Sequence, residues 1–306
     1  MIRRVLLQTI VAKDLEGAAR AIGEGLGWER TAEGTVGLEL AAVWGIDAGP
    51  HPRFVCLAPP GAARGFLRLV DGPEDDLSSN FHRPGFFNAE LLSRDVDAAH
   101  ARLAGQAGFR ILCAPQTYDM AAAGGACSRS FATRGPGGAG VFLTTYLSVP
   151  PPRRLPEALH LAGPMFNAAV STDDLDAVVG FYEGVLGLAR RLDGRLAQPS
   201  INRILGLPED WGFRMLVYKG EGDGLIEVDV HEHPLPLALP LPAGHLKPGN
   251  SILTLETDEL DALLRRADER GSRHTQARTL AAEPYAGRRA AVAFGPVGER
   301  IELVEA

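Results

Sequence analysis

Two acidic side chains on strand-like runs are the residues of this 306-residue chain best placed to do chemistry: Glu227, within Leu225 to Val230, and Glu302, within Arg300 to Val304. A strand sends alternate side chains to one face, so Glu227, Asp229 and His231 share a face, and Glu302 opposes Ile301 and Leu303. A carboxylate held this way is a candidate general base or divalent-metal ligand, with an ion pair from Glu302 to Arg288 or Arg289 as the plainer alternative. His231 and His233, two apart, could ligate a metal, but Pro234 follows at once and points to a solvated strand end. Asn88 and Asn167 each follow a phenylalanine (Phe87, Phe166). Their amides could orient a ligand carbonyl or hydroxyl, or simply bond neighbouring backbone. The segment 202–214 is longer and more aromatic than a hairpin needs. Its Arg203, Trp211 and Arg214 are candidates to touch an anionic or aromatic ligand, although either arginine could instead hold Glu209 or Asp210. His160, His245 and His274 stand alone; of these, His274 could reach a ligand from a strand.

The elements that must position these residues repeat. Asp14, Asp95, Asp174 and Glu259 each open a helix after a short apolar strand, at intervals of about 80 residues, the mark of tandem structural units. An acidic or hydroxyl side chain caps the first turn, and carboxylates favour the positive end of the helix dipole. In the third unit Leu175, Val178, Val179, Tyr182 and Leu186 form one apolar stripe suited to lie on a sheet. Gly27, Gly108 and Gly187 are placed as C-terminal caps. Each unit then reads as two or three strands with glycine turns, giving four βαβββ units. The proline-rich stretch 149–157 is the natural domain boundary. The expected organisation is an N-terminal domain at 1–148 (units of about 1–72 and 83–148) and a C-terminal domain at 158–306 (units of about 160–232 and 246–306).

In the third unit, Asp174-Leu175-Asp176 followed by Phe181 to Leu188 resembles the first helix of the glyoxalase, bleomycin-resistance and extradiol-dioxygenase group, the vicinal oxygen chelate superfamily. Gly295 to Leu303 resembles that group's closing turn and strand. The resemblance implies an α+β fold of four βαβββ modules, paired into two cupped mixed-sheet domains with helices outside and ligand inside. It also implies metal ligands on the first and closing strands of the units. The matching first-strand positions hold Leu7 or Gln8, Asn88, Asn167 and Ser251, where relatives have histidine. The closing-strand positions hold Arg68, Leu143 or Thr144, Glu227 and Glu302. Asparagine and serine are poor ligands for first-row transition metals, whereas two carboxylates with amide or water oxygens suit a hard ion.

Composition narrows the rest. Apolar residues at 45% and charged residues at 23% predict a globular protein, and a net charge of −7 without a basic cluster argues against nucleic acid or an anionic membrane as partner. Three cysteines without CxxC spacing predict reduced thiols in a soluble, cytoplasmic protein. The resemblance implies a lyase, isomerase or dioxygenase acting on a small oxygen-bearing molecule in the C-terminal cup. Glu227 and Glu302 would be its catalytic residues, Asn167, Arg203, Trp211, Arg214, Asp229, Ser251 and His274 its substrate contacts. One divalent ion (Mn, Mg, Fe or Zn) could be held by Glu227, Glu302 and His231, and a metal-free cup is the other possibility. The alternative function is a non-catalytic protein that sequesters an antibiotic-type small molecule. A monomer or weak homodimer is expected, since four fused units complete their own cups.

Overall fold

The computed structural model describes all residues except 48, 50, 74–80, 82, 121–125, 150–157, 221–224, 231–243 and 282. Four units follow one another. The first holds β1 (Ile2–Ala12), α1 (Leu15–Leu26), β2 (Glu29–Thr35), α2 (Leu38–Trp44), β3 (Arg53–Ala58) and β4 (Phe66–Asp71). The second holds β5 (Gly85–Leu92), α3 (Val96–Leu103), β6 (Arg110–Ile111), β7 (Gln116–Asp119), β8 (Cys127–Arg134) and β9 (Gly140–Ser148). In the third are β10 (Met165–Thr172), α4 (Leu175–Val179) continuing into a π-helical turn (Gly180–Val185), β11 (Ala189–Ala197), α5 (Pro199–Leu205), β12 (Gly212–Lys219) and β13 (Leu225–Val230). The fourth comprises β14 (Gly249–Thr257), α6 (Leu260–Glu269), β15 (Arg278–Thr279), β16 (Arg289–Phe294) and β17 (Arg300–Glu305).

The sheet order corrects the expected domains. One eight-stranded sheet runs β15-β16-β17-β14-β1-β4-β3-β2, so the first unit pairs with the fourth. The other runs β11-β12-β13-β10-β5-β9-β8-β6, so the second pairs with the third. Neither the N-terminal nor the C-terminal half is a domain. The proline-rich segment, whose residues 150–157 lie outside the described ones, joins two units of the same sheet. Such a stretch reports where the chain cannot enter a sheet, and says nothing about which first strands will meet. The joins are antiparallel: β1 meets β14 from Ile2 opposite Thr257 to Val11 opposite Gly249, and β10 meets β5. Inside every unit the first strand lies parallel to the last, which requires the helical crossover between them.

The faces of these strands sort into three cores. Backs of both sheets and the helices pack into one central layer that draws on all four units, with Ile10, Phe86, Val170 and Leu253 beside Ile22, Leu103, Tyr182 and Leu263. The crossover helices α1, α3, α4 and α6 thus lie outside the cups but between the two sheets, whereas α2 and α5 pack on the cup faces. Fully burying each aliphatic side chain here contributes about 1.5–3 kcal/mol. Close contact between the sheets needs glycine at position 65, where φ is +74° and an added Cβ would stand 2.5 Å from the Met165 carbonyl oxygen. The inner face of each cup has its own apolar cluster, one confined to units one and four, the other to units two and three.

Candidate functional site

Glu227 and Glu302 occupy the same place in their units but stand in different cups. In the first cup, Ile301 and Leu303 join the central layer while Glu302 points inward, fully buried. Facing it from β4 is Arg68, also fully buried, whose Nη2 lies 3.0 Å from Glu302 Oε2. Trp44 Nε1, Thr254 Oγ1 and the Tyr285 hydroxyl donate to the same carboxylate at 2.6, 2.5 and 2.7 Å. Arg68 donates also to Thr9 and Tyr285, and its guanidinium lies 4.5 Å from the centre of the Trp44 ring. Burial alone would raise the Glu302 pKa, but the Arg68 charge and these donors hold it below the ordinary value. Leu40, Val43 and Trp44 of α2 fill the rest of the cup with Phe54, Cys56 and Phe294. A carboxylate with every lone pair engaged in a packed core has no capacity left for substrate, which overturns the catalytic and metal-binding expectation for Glu302. Nor do the arginines proposed as its partners reach it: Arg288 bonds Glu256 and Arg289 bonds Asp261.

The second cup is built differently. Ile226 and Val228 join the central layer, so Glu227 and Asp229 face inward from β13. Across the sheet, Asn167 of β10 stands opposite Glu90 of β5, and Ala169 opposite Glu227. Asn167 Nδ2 donates to Glu90 Oε2 at 2.7 Å and to Glu227 Oε2 at 3.3 Å, tying the two carboxyl groups together. Thr144 of β9 donates to the other Glu90 oxygen. Phe87, Phe142, Phe213 and Met215 line the same face, with Ile201 of α5. Both oxygens of fully buried Asp229, and the Oδ1 atoms of Asn88 and Asn167, have no hydrogen-bond partner among the described residues.

The electrostatics follow from that lining. Burial and the neighbouring Glu90 push the Glu227 pKa up to about 8, against the opposing pull of the Asn167 amide. Burial raises Glu90 too, offset in part by Thr144 and Asn167. Asp229 is raised well above its ordinary value by burial and then by Glu227 and Glu90. Two carboxyl groups this close cannot both ionise cheaply, so near neutral pH the pair offers one acid and one base.

The remaining sequence candidates do not join either cup. Arg203 is exposed and pairs with Glu209, while Arg214 points away from Phe213 and Met215 and grips Asp193 at 2.7 and 2.8 Å. Trp211 is half-buried before β12, its carbonyl accepting from Asn202. His274 sits on the far side of the fourth unit, bonded to Asp268 and the Thr275 carbonyl. Ser251 shares a strand face with Leu253 of the central layer, one residue out of step with cup-facing Thr254. In the first unit Thr9, not Leu7 or Gln8, bonds the closing-strand Arg68, its partner in the parallel register, while Gln8 bonds Asn250 and the Asn88 carbonyl. His231 lies outside the described residues. Glu90, absent from the sequence candidates, stands two residues past Asn88 on the same strand, where alternation alone places it on the same face.

The residues present do not fit the iron or zinc centre implied by the family resemblance. Its two expected carboxylates are in separate cups, and asparagines stand at the imidazole positions of the second. Among the described residues no three His, Cys, Asp or Glu side chains converge as metal ligands.

Comparison with known proteins agrees with the architecture. Residues 160–303 match the sequence model of the Glyoxalase/Bleomycin resistance protein/Dioxygenase superfamily. A comparison with curated protein sequences found no match. Among solved structures, glyoxalase I from Zea mays is 15% identical with a TM-score of 0.62, over 99% of this chain and 92% of that one. A dioxygenase-like protein from Bacillus subtilis subsp. subtilis str. 168 is 12% identical with a TM-score of 0.63, over 99% of this chain and 85% of that one. At such identities the likeness is one of fold. No helix among the described residues is long and apolar enough to cross a membrane.

Proposed function

Taking as premise that the chain belongs, through residues 160–303, to the glyoxalase/bleomycin resistance protein/dioxygenase superfamily, we propose that its second cup is the active centre of an enzyme moving a proton on a small, enolisable, oxygen-bearing molecule. The observation that carries this reading is the pair of carboxyl groups bridged by Asn167. A general base works best with a pKa near the working pH, and Glu227 is pushed up to about 8, chiefly by burial. In the proposed step the Glu227 carboxylate takes the proton from the carbon beside a carbonyl. The charge of Glu90, which ionises first of the pair, keeps Glu227 basic enough for this transfer. Glu227 then returns its proton to the enolate. Asn167 positions both carboxyl groups, and the surrounding phenylalanines exclude water that would level their acidities.

Sequestration without turnover is the second reading, favoured by asparagines 88 and 167 standing where metal-using relatives have histidine. One experiment separates the two. A panel of small aldehydes and ketones is incubated with the protein in D₂O, and exchange of the hydrogen beside the carbonyl is followed by NMR. Catalysed exchange is expected, rising with pH through about 8 as Glu227 loses its proton. Glu227→Gln should slow it by about 100-fold or more. Ligand binding with no exchange at any pH would give the cup to sequestration.

A further inference from the structure

The class of molecule that the second cup accepts can be read from its acceptors, an inference that rests on this cup being the functional one. Glu90, Glu227 and Asp229 bring three carboxyl groups to one concave face, close enough for each of the first two to raise the pKa of Asp229. Glu90 and Glu227 keep some surface in solvent, while Asp229 is fully enclosed, so the acidic face runs from the solvent inward. Their hydrogen-bond partners are Thr144 and Asn167, and among the described residues no Arg, Lys or His pairs with any of the three. Beyond the carboxylates stand two further acceptors, Oδ1 of Asn88 and of Asn167, each residue 3% exposed and each atom without a donor among the described residues. A buried acceptor left unmade costs about 1–3 kcal/mol, and more when charged.

The other cup is an internal comparison. There the matched carboxylate, Glu302, faces a guanidinium and takes four donors, and nothing is left over. In the second cup no cation among the described residues takes that place. The walls suit a positive charge as well, since the faces of Phe87, Phe142 and Phe213 carry negative quadrupole density.

We propose that the second cup binds a small organic cation, a primary ammonium or amidinium on an apolar body, with its N–H groups directed at Asp229 and the Glu90–Glu227 pair. An ammonium supplies three donors, no acceptor and a positive charge, the complement of a face of carboxyl groups and bare amide oxygens that would ionise beside it. A carboxylate or phosphate in the same place would meet three acidic groups and no countercharge. The substrate class of the proposed reaction narrows accordingly to carbonyl compounds that carry an amine or amidine.

Calorimetric titration with benzylamine, benzyl alcohol and benzoate, three probes of one shape and different charge, tests this on the full chain. Benzylamine should bind about tenfold or more tightly than benzyl alcohol, and benzoate should not bind. Asp229→Asn should weaken benzylamine about tenfold and leave benzyl alcohol unchanged. Magnesium chloride should not compete. Equal or tighter binding of either uncharged or anionic probe, absence of benzylamine binding, an unchanged Asp229→Asn affinity, or displacement by Mg²⁺ would each overturn the proposal. The discrimination among probes by the unmodified protein decides the matter even where the variant folds poorly. Because binding is read without turnover, benzylamine that binds while no carbonyl compound exchanges would sink the proposed reaction and keep the cation site.

Discussion

Arg68 and Glu227 show how one strand position can take opposite roles. Both stand on the inward face of a closing strand. Arg68 neutralises the equivalent glutamate of the fourth unit, whereas Glu227 meets a second carboxyl group. Breaking a buried ion pair leaves an uncompensated charge and costs about 3–5 kcal/mol. Arg68→Ala should therefore lower unfolding free energy by that order in urea titrations, yet leave benzylamine affinity intact, because the damage is confined to the other cup. The alternation that puts Glu227 and Glu302 inside was legible from Ile226, Val228, Ile301 and Leu303. Their partners were not, since Arg68 precedes Glu302 by most of the chain and Glu90 lies in a different unit from Glu227. Charge complementarity between Arg68 and Glu302 was the one signal, and it reads as a defect until the two are known to share a cup.

Helix entry is where the sequence speaks most clearly. Asp14, Asp95 and Asp174 each accept the backbone N–H of the third residue onward, at 2.9, 3.0 and 2.9 Å, as expected of capping side chains. Glu259, at the equivalent place, makes no side-chain cap, its carboxylate pairing at the surface with the Met1 ammonium; Thr257 accepts its N–H instead. Asp174→Ala should then cost about 1 kcal/mol of stability and Glu259→Ala almost nothing, measured by parallel denaturant titrations. Helix exits were less legible. Gly27 caps α1 in the left-handed region, but α3 has already ended at Leu103, and Gly108 turns the chain four residues beyond the Ala104 cap. Glycine marks where the chain reverses, which need not be where the helical bonds stop.

At the scale of the molecule, periodicity revealed four units and alternation revealed their faces, but no residue announced that the first would seek the fourth. Pairing is decided by the whole length of β1 against β14, a sum of backbone bonds and central-layer contacts that no local motif carries. It follows that neither half is self-sufficient. Residues 1–149 and 158–306, produced separately, should each lack a cooperative unfolding transition by circular dichroism, and mixing them should restore one. Two halves that each melted cooperatively alone would contradict the shared sheets. The nested order also imposes a schedule on synthesis. Units two and three are neighbours in the chain and can close their sheet, with its acidic cup, while the ribosome is still at work. The first unit, made before either, must wait with the edge of β1 unpaired until the last unit is released. The first of the four units to be made is thus the last to find its partner, and an unpaired edge is where a nascent chain is most exposed to mispairing.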